Sequence, residues 1–381
     1  MIYLDHAAAT PVSEKVLVAM KPFMAEQFFN PSSPYLPAVQ VRAAYEKAKN
    51  SIANFIGAKG NDLVMTSGAT EANALAFTAA KGKILILETE HASILGNAKK
   101  YNSQTVRVDK TGLIDIDDLR KKITDDVELI SISLANNELG TIQPLAEVAQ
   151  IIREVRLARL KRNITTQLLL HSDASQGLAL IDINVARLGV DLLTINSAKV
   201  CGPKGVGALY VGHGVHLEPL ISGGGQERNM RSGTENVAGV VGFATALGII
   251  KGHTAAARKK YMRLVENLKT ELLNCEVQPL YLGNPKHMLA NFLPLSFPGL
   301  DAERLIFKLE ENEVYASTGA ACSASKGEPS HVLKAIGLTP KEIAGSLRLT
   351  LGVLNDEENV RQAGEIITKV VNEEYARLLN V

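Results

Sequence analysis

The amino-acid sequence predicts an α/β protein with a mostly parallel central sheet, helices on both faces of that sheet, and a smaller α+β domain. Two observations predict this class. Short apolar segments alternate with amphipathic segments between residues 16 and 211, which is the order that produces β-α-β units. The apolar segments are continuous, as in strands covered on both faces. The chain's 381 residues suffice for two domains.

The predicted larger domain covers residues 14–250. Apolar residues at helical spacing predict helices over 16–28, 38–55, 70–80, 92–101, 116–123 and 145–160. Continuous apolar segments predict strands over 63–66, 84–87, 105–108, 128–134, 167–170, 192–196 and 208–211.

The predicted smaller domain consists of residues 1–13 and 251–381. The pattern changes near Thr234, where a long helical region is predicted to reach Leu273. The remaining elements are strands over 292–297, 314–316 and 346–351, and helices over 302–312 and 356–379.

The composition argues against several classes of function. The net charge of +1 gives no electrostatic reason for a nucleic-acid or membrane partner. The longest apolar run, 237–250, is too short to span a bilayer. The three cysteines include no C-x-x-C pair, so neither a disulfide framework nor a metal site is expected. The N-terminus lacks the blocks of a signal peptide, and a cytoplasmic protein is therefore expected.

Polar side chains follow several of the predicted strands, where ligands bind in open parallel sheets. The first group is the turn with Gly68, Ala69 and Thr70. Its small residues let backbone N–H groups at a helix N-terminus approach a phosphate, and Thr70 adds a hydroxyl. The alternative is an ordinary N-cap.

Four further side chains lie at predicted strand ends. Asp173 is expensive to bury unless it is paired, either with a protonated pyridine nitrogen or in a structural salt bridge. Gln176 and Asn137 have amides that suit a ring oxygen, and the alternative for Asn137 is a turn residue. His91 suits stacking on a flat cofactor or proton transfer, and the alternative is a satisfied polar residue.

Lys199 lies between a strand end and the rigid turn Gly202–Gly205. A buried lysine in such a place suits Schiff-base formation with an aldehyde cofactor. The stretch alone also allows a surface lysine, and Lys204 competes for the same role.

Cys322 lies in the run of small residues from Ser317 to Pro329, which predicts an exposed, mobile loop and a thiol that acts as a nucleophile. Cys201 and Cys275 have more apolar neighbours, and packing is expected for both. Arg348, in the strand-like run 346–351, suits bidentate capture of a substrate carboxylate. The alternative is an edge-strand arginine that faces solvent.

The chain resembles the cysteine desulfurases, which belong to the class V branch of the fold-type I pyridoxal-phosphate enzymes, and among them the NifS-like group. Eleven motifs occur in the order in which that family has them. They are YLDHAAATP from Tyr3, NPSS from Asn30, TSGATEANAL from Thr66, TEHASIL from Thr89, NNELGTIQP from Asn136, HSDASQ from His171, GPKGVGALYV from Gly202, GGGQERNMRSGTEN from Gly223, GAACSAS from Gly319, EPSHVLKAIGL from Glu328 and SLRLTLG from Ser346.

The resemblance implies pyridoxal 5'-phosphate as the cofactor and L-cysteine as the substrate. It implies that Gly68, Ala69 and Thr70 bind the phosphate, and that Thr234 reaches the phosphate of the partner subunit in a homodimer. The resemblance implies that Lys199 attaches the cofactor and transfers protons, that Asp173 pairs with the pyridine nitrogen, and that His91 stacks on the ring. Asn137 and Gln176 are implied to contact the ring or the substrate, and Asn196 to bind the cofactor. Arg348 is implied to bind the substrate carboxylate, and Cys322 to attack the sulfur and form a persulfide.

The implied reaction gives L-alanine and delivers sulfur to an acceptor or cluster-scaffold protein, for iron–sulfur clusters or tRNA thiolation. Two alternatives are another β-elimination, such as that of selenocysteine lyase, and a weakly active family member that serves as an assembly scaffold. The sequence departs from the family pattern before the lysine, where Asn196 and Ala198 replace the usual serine and histidine. Pro34, Tyr35 and Ala38 depart from it as well.

We predict that Ala198→His strengthens cofactor retention, because alanine cannot supply the contact that the family's histidine makes. Cofactor remaining after dialysis is compared between the parent and the variant. Equal retention would show that another residue has replaced the missing contact.

Overall fold

A seven-stranded sheet forms the centre of the larger part of the molecule in the computed structural model, which describes residues 1–318 and 329–380. After the N-terminal strand β1 (Ile2–Tyr3), its strands are β2 (Leu63–Thr66), β3 (Lys83–Leu87), β4 (Ser103–Val106), β5 (Val127–Ser131), β6 (Leu169–Asp173), β7 (Leu192–Asn196) and β8 (Gly207–Val211).

The spatial order of this sheet is β2-β8-β7-β6-β5-β3-β4. Strands β3 to β7 pair in parallel, and β8 runs antiparallel to both of its neighbours. The predicted mostly parallel sheet is therefore confirmed. The carboxyl ends of β3, β5, β6 and β7 meet at one edge, which is where a ligand binds in such sheets.

Helices occupy both faces of the sheet. The helices of the described residues, on this sheet and elsewhere in the molecule, are α1 (Glu14–Met20), α2 (Pro22–Ala25), α3 (Leu36–Phe55), α4 (Ala69–Phe77), α5 (Ala92–Ala98), α6 (Ile116–Lys122), α7 (Leu145–Lys161), α8 (Val185–Leu188), α9 (Val237–Ile250), α10 (Thr254–Leu272), α11 (Ala302–Glu311), α12 (His331–Ala335), α13 (Pro340–Ala344) and α14 (Glu357–Leu379). Successive strand residues point to opposite faces. Leu85 and Leu193 therefore join a core with α3, α7 and α9, while Ile84 and Leu192 join another with α4 and α5.

A second, antiparallel sheet contains β9 (Leu280–Tyr281), β10 (Phe292–Ser296), β12 (Ser317–Thr318) and β13 (Ser346–Thr350), in the order β12-β13-β10-β9. Strand β1 pairs in parallel with β11 (Val314–Tyr315). Leu295 and Leu349 pack with α10, α11 and α14 in a separate core. The exact division of the chain into domains stays a prediction.

The long helical region predicted from Thr234 to Leu273 is not one continuous helix. The structure breaks it into α9 and α10, because Gly252 adopts a left-handed conformation with φ +79°. Within the described residues no single helix is long and apolar enough to cross a membrane, although the pair α9 and α10, bent by 74°, meets that criterion by length and composition.

A buried ion pair fixes the turn that precedes Thr234. Lys49 Nζ on α3 lies 2.7 Å from Glu227 Oε2, and the two side chains are 7% and 5% exposed. Tyr45 also donates to Glu227, and the Met65 backbone N–H donates to it at 2.8 Å. Glu227 itself has a φ of +47°, so the ion pair and these hydrogen bonds hold a strained backbone in place.

We expect Lys49→Met to destabilise the protein by about 3–5 kcal/mol, because it leaves the Glu227 carboxylate buried without a cation. Urea unfolding followed by circular dichroism measures the effect. Lys47→Met is the matched control, since Lys47 is exposed on the same helix. Equal unfolding midpoints for the two variants would contradict the prediction.

Candidate active site

One cavity at the carboxyl ends of the parallel strands gathers most of the predicted site residues. Those that line it are Ala69, Thr70, His91, Asn137, Asp173, Gln176, Asn196, Lys199 and Arg348. Gly68 lies directly before Ala69 but is not part of the lining. Thr234 is exposed and is not brought to this cavity within one chain. Cys322 lies outside the described residues.

The structure separates Lys199 from its rival. Lys199 ends a single 3₁₀ turn, Ser197–Lys199, that follows β7 directly. Its Nζ donates to the carbonyls of Ala7 at 2.7 Å and Ala8 at 2.6 Å, at the wall of the cavity. Lys204 is exposed and lies outside that lining. Among the described residues, the lysine amine in the cavity wall therefore belongs to Lys199.

The run before the lysine has a structural task of its own. The Asn196 side-chain oxygen accepts a hydrogen bond from the Ala198 N–H at 3.1 Å and so caps the 3₁₀ turn. Thr10 donates to the Ala198 carbonyl at 2.9 Å. These contacts hold the backbone before Lys199 without a polar side chain at position 198.

Asp173 ends β6 with only 7% of its surface exposed. Asn73 donates to its Oδ2 at 2.7 Å, and the Ser175 N–H donates to its Oδ1 at 2.8 Å. No ion pair among the described residues includes Asp173, so the structural salt bridge that the sequence allowed is absent from this part of the chain. A carboxylate in such a place suits a cationic ligand group in the cavity.

His91 caps α5 and shares a hydrogen-bonded chain with Asp173. Its Nδ1 accepts from the Ser93 N–H at 3.1 Å, so the neutral ring carries its proton on Nε2. Ser93 Oγ lies 2.8 Å from the same Nδ1 and accepts from Asn73 at 2.9 Å. Burial lowers the pKa of His91, although the charge of Asp173 opposes this. The ring is therefore held neutral and fixed in orientation.

Asn73 is one of the residues that sequence reasoning missed. It is fully buried, and its amide group donates both to Asp173 and to Ser93. A signal was present, because Asn73 is a polar residue among the small and apolar residues of α4. Without a partner at hand, however, such a residue cannot be told from an ordinary helix position.

Arg348 is neither at an edge nor exposed, so the alternative of a solvent-facing edge arginine is wrong. Its strand β13 lies between β12 and β10, and the residue is 4% exposed. One terminal nitrogen lies 2.6 Å from Asp5 Oδ1, and the other donates to the Asn137 carbonyl at 2.9 Å. The guanidinium is thus fixed at the cavity wall with N–H groups left for a carboxylate.

The turn before α4 is open for an anion. Gly68 is the N-cap residue, with φ +145°, and no side chain caps the helix. The ordinary side-chain N-cap is therefore wrong here. A Cβ at Gly207, on the neighbouring strand β8, would come within 2.8 Å of Gly68, so both positions need glycine. The first N–H groups of α4 beside the cavity favour a phosphate.

These residues fit pyridoxal 5'-phosphate. An uncapped helix start suits its phosphate, the buried Asp173 carboxylate suits its pyridine nitrogen, and Lys199 supplies an amine for its aldehyde. Gln176 lines the same cavity and donates to the Ala7 carbonyl at 3.0 Å. The fold and the cavity together define a pyridoxal-phosphate enzyme of fold type I.

The chain belongs to the aminotransferase class-V family, whose family model matches residues 2–362. It is 40% identical to cysteine desulfurase IscS 1 of Archaeoglobus fulgidus over 383 aligned residues, which cover 97% of each chain. A solved NifS-like protein is 32% identical, with a TM-score of 0.89 over 98% of this chain and 99% of that one. The structure of SspA in complex with cysteine is 30% identical, with a TM-score of 0.79 over 92% and 99%. The predicted family and its cofactor are confirmed.

We expect Asn73→Ala to weaken cofactor binding, because Asp173 loses a hydrogen bond and His91 loses its link to Asp173. A hydrogen bond to a charged group contributes about 1.5–3 kcal/mol, which corresponds to a roughly ten- to hundredfold higher Kd. Titration of the cofactor-free protein, followed by visible absorption, gives the Kd.

Asn97→Ala is the control for this prediction. Asn97 donates to the Ser93 carbonyl on α5 and leaves the hydrogen bonds of Asn73 intact. Equal dissociation constants for the two variants would show that the Asn73 amide does not support the cofactor site.

Proposed function

We propose that this protein is an L-cysteine desulfurase that uses pyridoxal 5'-phosphate and releases L-alanine. The observation that supports it most is that Lys199, Asp173 and Arg348 all line one cavity. A second support is that relatives covering nearly the whole chain are named cysteine desulfurases, among them that of Methanosarcina thermophila at 38% identity.

The cofactor would be held by the N-terminus of α4 with Thr70, by Asp173 at the pyridine nitrogen, by His91 against the ring, and by Asn137, Gln176 and Asn196 around it. When bound, it withdraws electrons from the carbon atoms of an attached amino acid. The buried carboxylate of Asp173 favours a protonated pyridine nitrogen, which strengthens that withdrawal.

Lys199 and Arg348 have complementary tasks in this proposal. Arg348 binds the substrate carboxylate and thereby fixes the orientation of the amino acid. Lys199 Nζ, which lies at the same cavity wall, holds the cofactor before the reaction and then moves the proton at the substrate's α-carbon. His91, held neutral by burial, carries a proton on Nε2 that can be exchanged with the reacting groups.

Cys322 is the proposed sulfur acceptor, on the resemblance of its GAACSAS motif. Its thiolate attacks the substrate sulfur and forms an S–S bond, while the substrate's C–S bond breaks and its β-carbon takes up a proton. The products are L-alanine and a persulfide on Cys322, so atoms and electrons balance. The thiolate is the reactive form in this step.

We also propose a cytoplasmic homodimer that passes sulfur to an acceptor or cluster-scaffold protein. Large apolar side chains on and beside α1, α2 and α3 are exposed in a single chain, which favours a partner there. They are Leu17, Val18, Met24, Phe28, Tyr35, Leu36 and Val39. Thr234 is exposed as well, as expected of a residue that reaches the partner subunit's phosphate. The sulfur would serve iron–sulfur clusters or tRNA thiolation.

The test is incubation of the purified holoenzyme with L-cysteine and a reductant. We expect equal amounts of alanine and sulfide from the wild type, and loss of both by at least about a hundredfold in Cys322→Ala, since the nucleophile is absent. Cys201→Ala is the control cysteine and should stay active. Unchanged sulfide release from Cys322→Ala would contradict the desulfurase mechanism.

A further inference from the structure

Glu138 is a buried carboxyl group in the wall of the active-site cavity for which the mechanism above has no use. It is 8% exposed. Ser330, the N-cap of α12, donates to its Oε2 at 2.6 Å. No hydrogen bond between its other oxygen, Oε1, and another described residue is present. Glu138 therefore offers one oxygen to whatever occupies the cavity.

The charges around Arg348 limit the form in which Glu138 can meet a substrate. Arg348 carries one positive charge, and Asp5 already pairs with it at 2.6 Å. A substrate carboxylate would add a second negative charge, and an ionised Glu138 would add a third in a poorly solvated place. Like charges that share one cavity wall disfavour ionisation. Protonation of Glu138 removes its negative charge, and with it the repulsion between the carboxylates. It also gives Glu138 an O–H group that can donate a hydrogen bond to the substrate carboxylate.

We propose, resting on the function proposed above, that protonated Glu138 is a further substrate-binding residue, which donates a hydrogen bond from Oε1 to the substrate carboxylate beside Arg348. This hydrogen bond to the carboxylate favours α-amino acids over simple amines, which have no carboxylate. Ser330 holds the carboxyl group in orientation through Oε2.

The surroundings of Glu138 make this form available near neutral pH. Burial raises the pKa of Glu138 to about 7, while the Ser330 hydroxyl and the charge of Arg348 oppose the rise. The other titratable side chains of the cavity wall are His91, Asp173 and Lys199. Burial also raises the pKa of Glu90 to about 7. Glu90 lies behind the cavity wall, where its carboxylate accepts a hydrogen bond from the Ser133 N–H. His331, which follows Ser330 in the chain, contacts the backbone carbonyl of Glu90.

The sign of the pH dependence follows from this assignment. Below pH 7 Glu138 is protonated and donates to the carboxylate, so binding is strongest there. Above pH 7 it ionises and repels the carboxylate, so the Kd of a carboxylate ligand rises about tenfold for each pH unit. Glu138→Gln keeps a donor at every pH, and its Oε1 can still accept from Ser330. The variant should lack this rise.

The experiment measures binding of L-alanine, the proposed product, to holoenzyme between pH 6 and 9 through the visible absorption of the bound cofactor. Ethylamine, which has an amine but no carboxylate, is the comparison ligand. The ratio of wild-type to Glu138→Gln dissociation constants should rise about tenfold per pH unit above pH 7 for L-alanine and stay constant for ethylamine. Glu147→Gln, at an exposed position on α7, is the control.

A constant ratio for L-alanine, or an equal rise for ethylamine, would overturn the proposal. If Glu138→Gln does not fold, Ser330→Ala provides a second test. It removes a hydrogen bond that lowers the pKa of Glu138, so the rise in Kd should move to higher pH, and an unmoved rise would count against the role of Glu138. Sulfide release from L-cysteine by the wild type tests the proposed function separately.

Discussion

The burial of the Asp173 carboxylate is the constraint on which the rest of the site depends. An ionised group in this position is costly unless polar partners and a cation compensate it. The chain provides two donors, from Asn73 and Ser175, and no ion pair within the described residues. A cationic group of a ligand in the cavity would add to this compensation. The same Asn73 amide holds Ser93, and through it His91, so the carboxylate and the ring above the site are fixed together.

The edge of the sheet at which the site forms was predictable. The order of the strands can be read from the sequence, and ligands bind at the carboxyl ends of the strands in parallel sheets. Asp173 and Asn196 lie at the ends of β6 and β7, as expected. The choice between Lys199 and Lys204 depended on resemblance, since both lysines flank the same turn. The structure resolves it through the Ala7 and Ala8 carbonyls, which lie more than 190 positions away in the sequence.

The parts that sequence reasoning missed share a physical cause. Strands β1, β9 and β12 have two residues each, and helices α8, α12 and α13 have four or five. Such elements are too short to show a period, so tertiary contacts decide them. Asn73, Asp5 and Glu138 were missed for a related reason. Their roles consist of contacts between residues 100 or more positions apart, and a single sequence does not reveal these pairings.

The N-terminal segment joins the two halves of the site. Strand β1 pairs with β11, and Asp5 forms a bridge with Thr350 next to the second sheet. A few residues on, the carbonyls of Ala7 and Ala8 hold Lys199, which belongs to the first sheet. Asp5 holds Arg348 by the same segment. The distance between Lys199, which moves a proton in the proposed mechanism, and Arg348, which binds the carboxylate in it, is therefore set by a short stretch of backbone. Because neither sheet alone fixes that distance, this segment is part of the site's geometry.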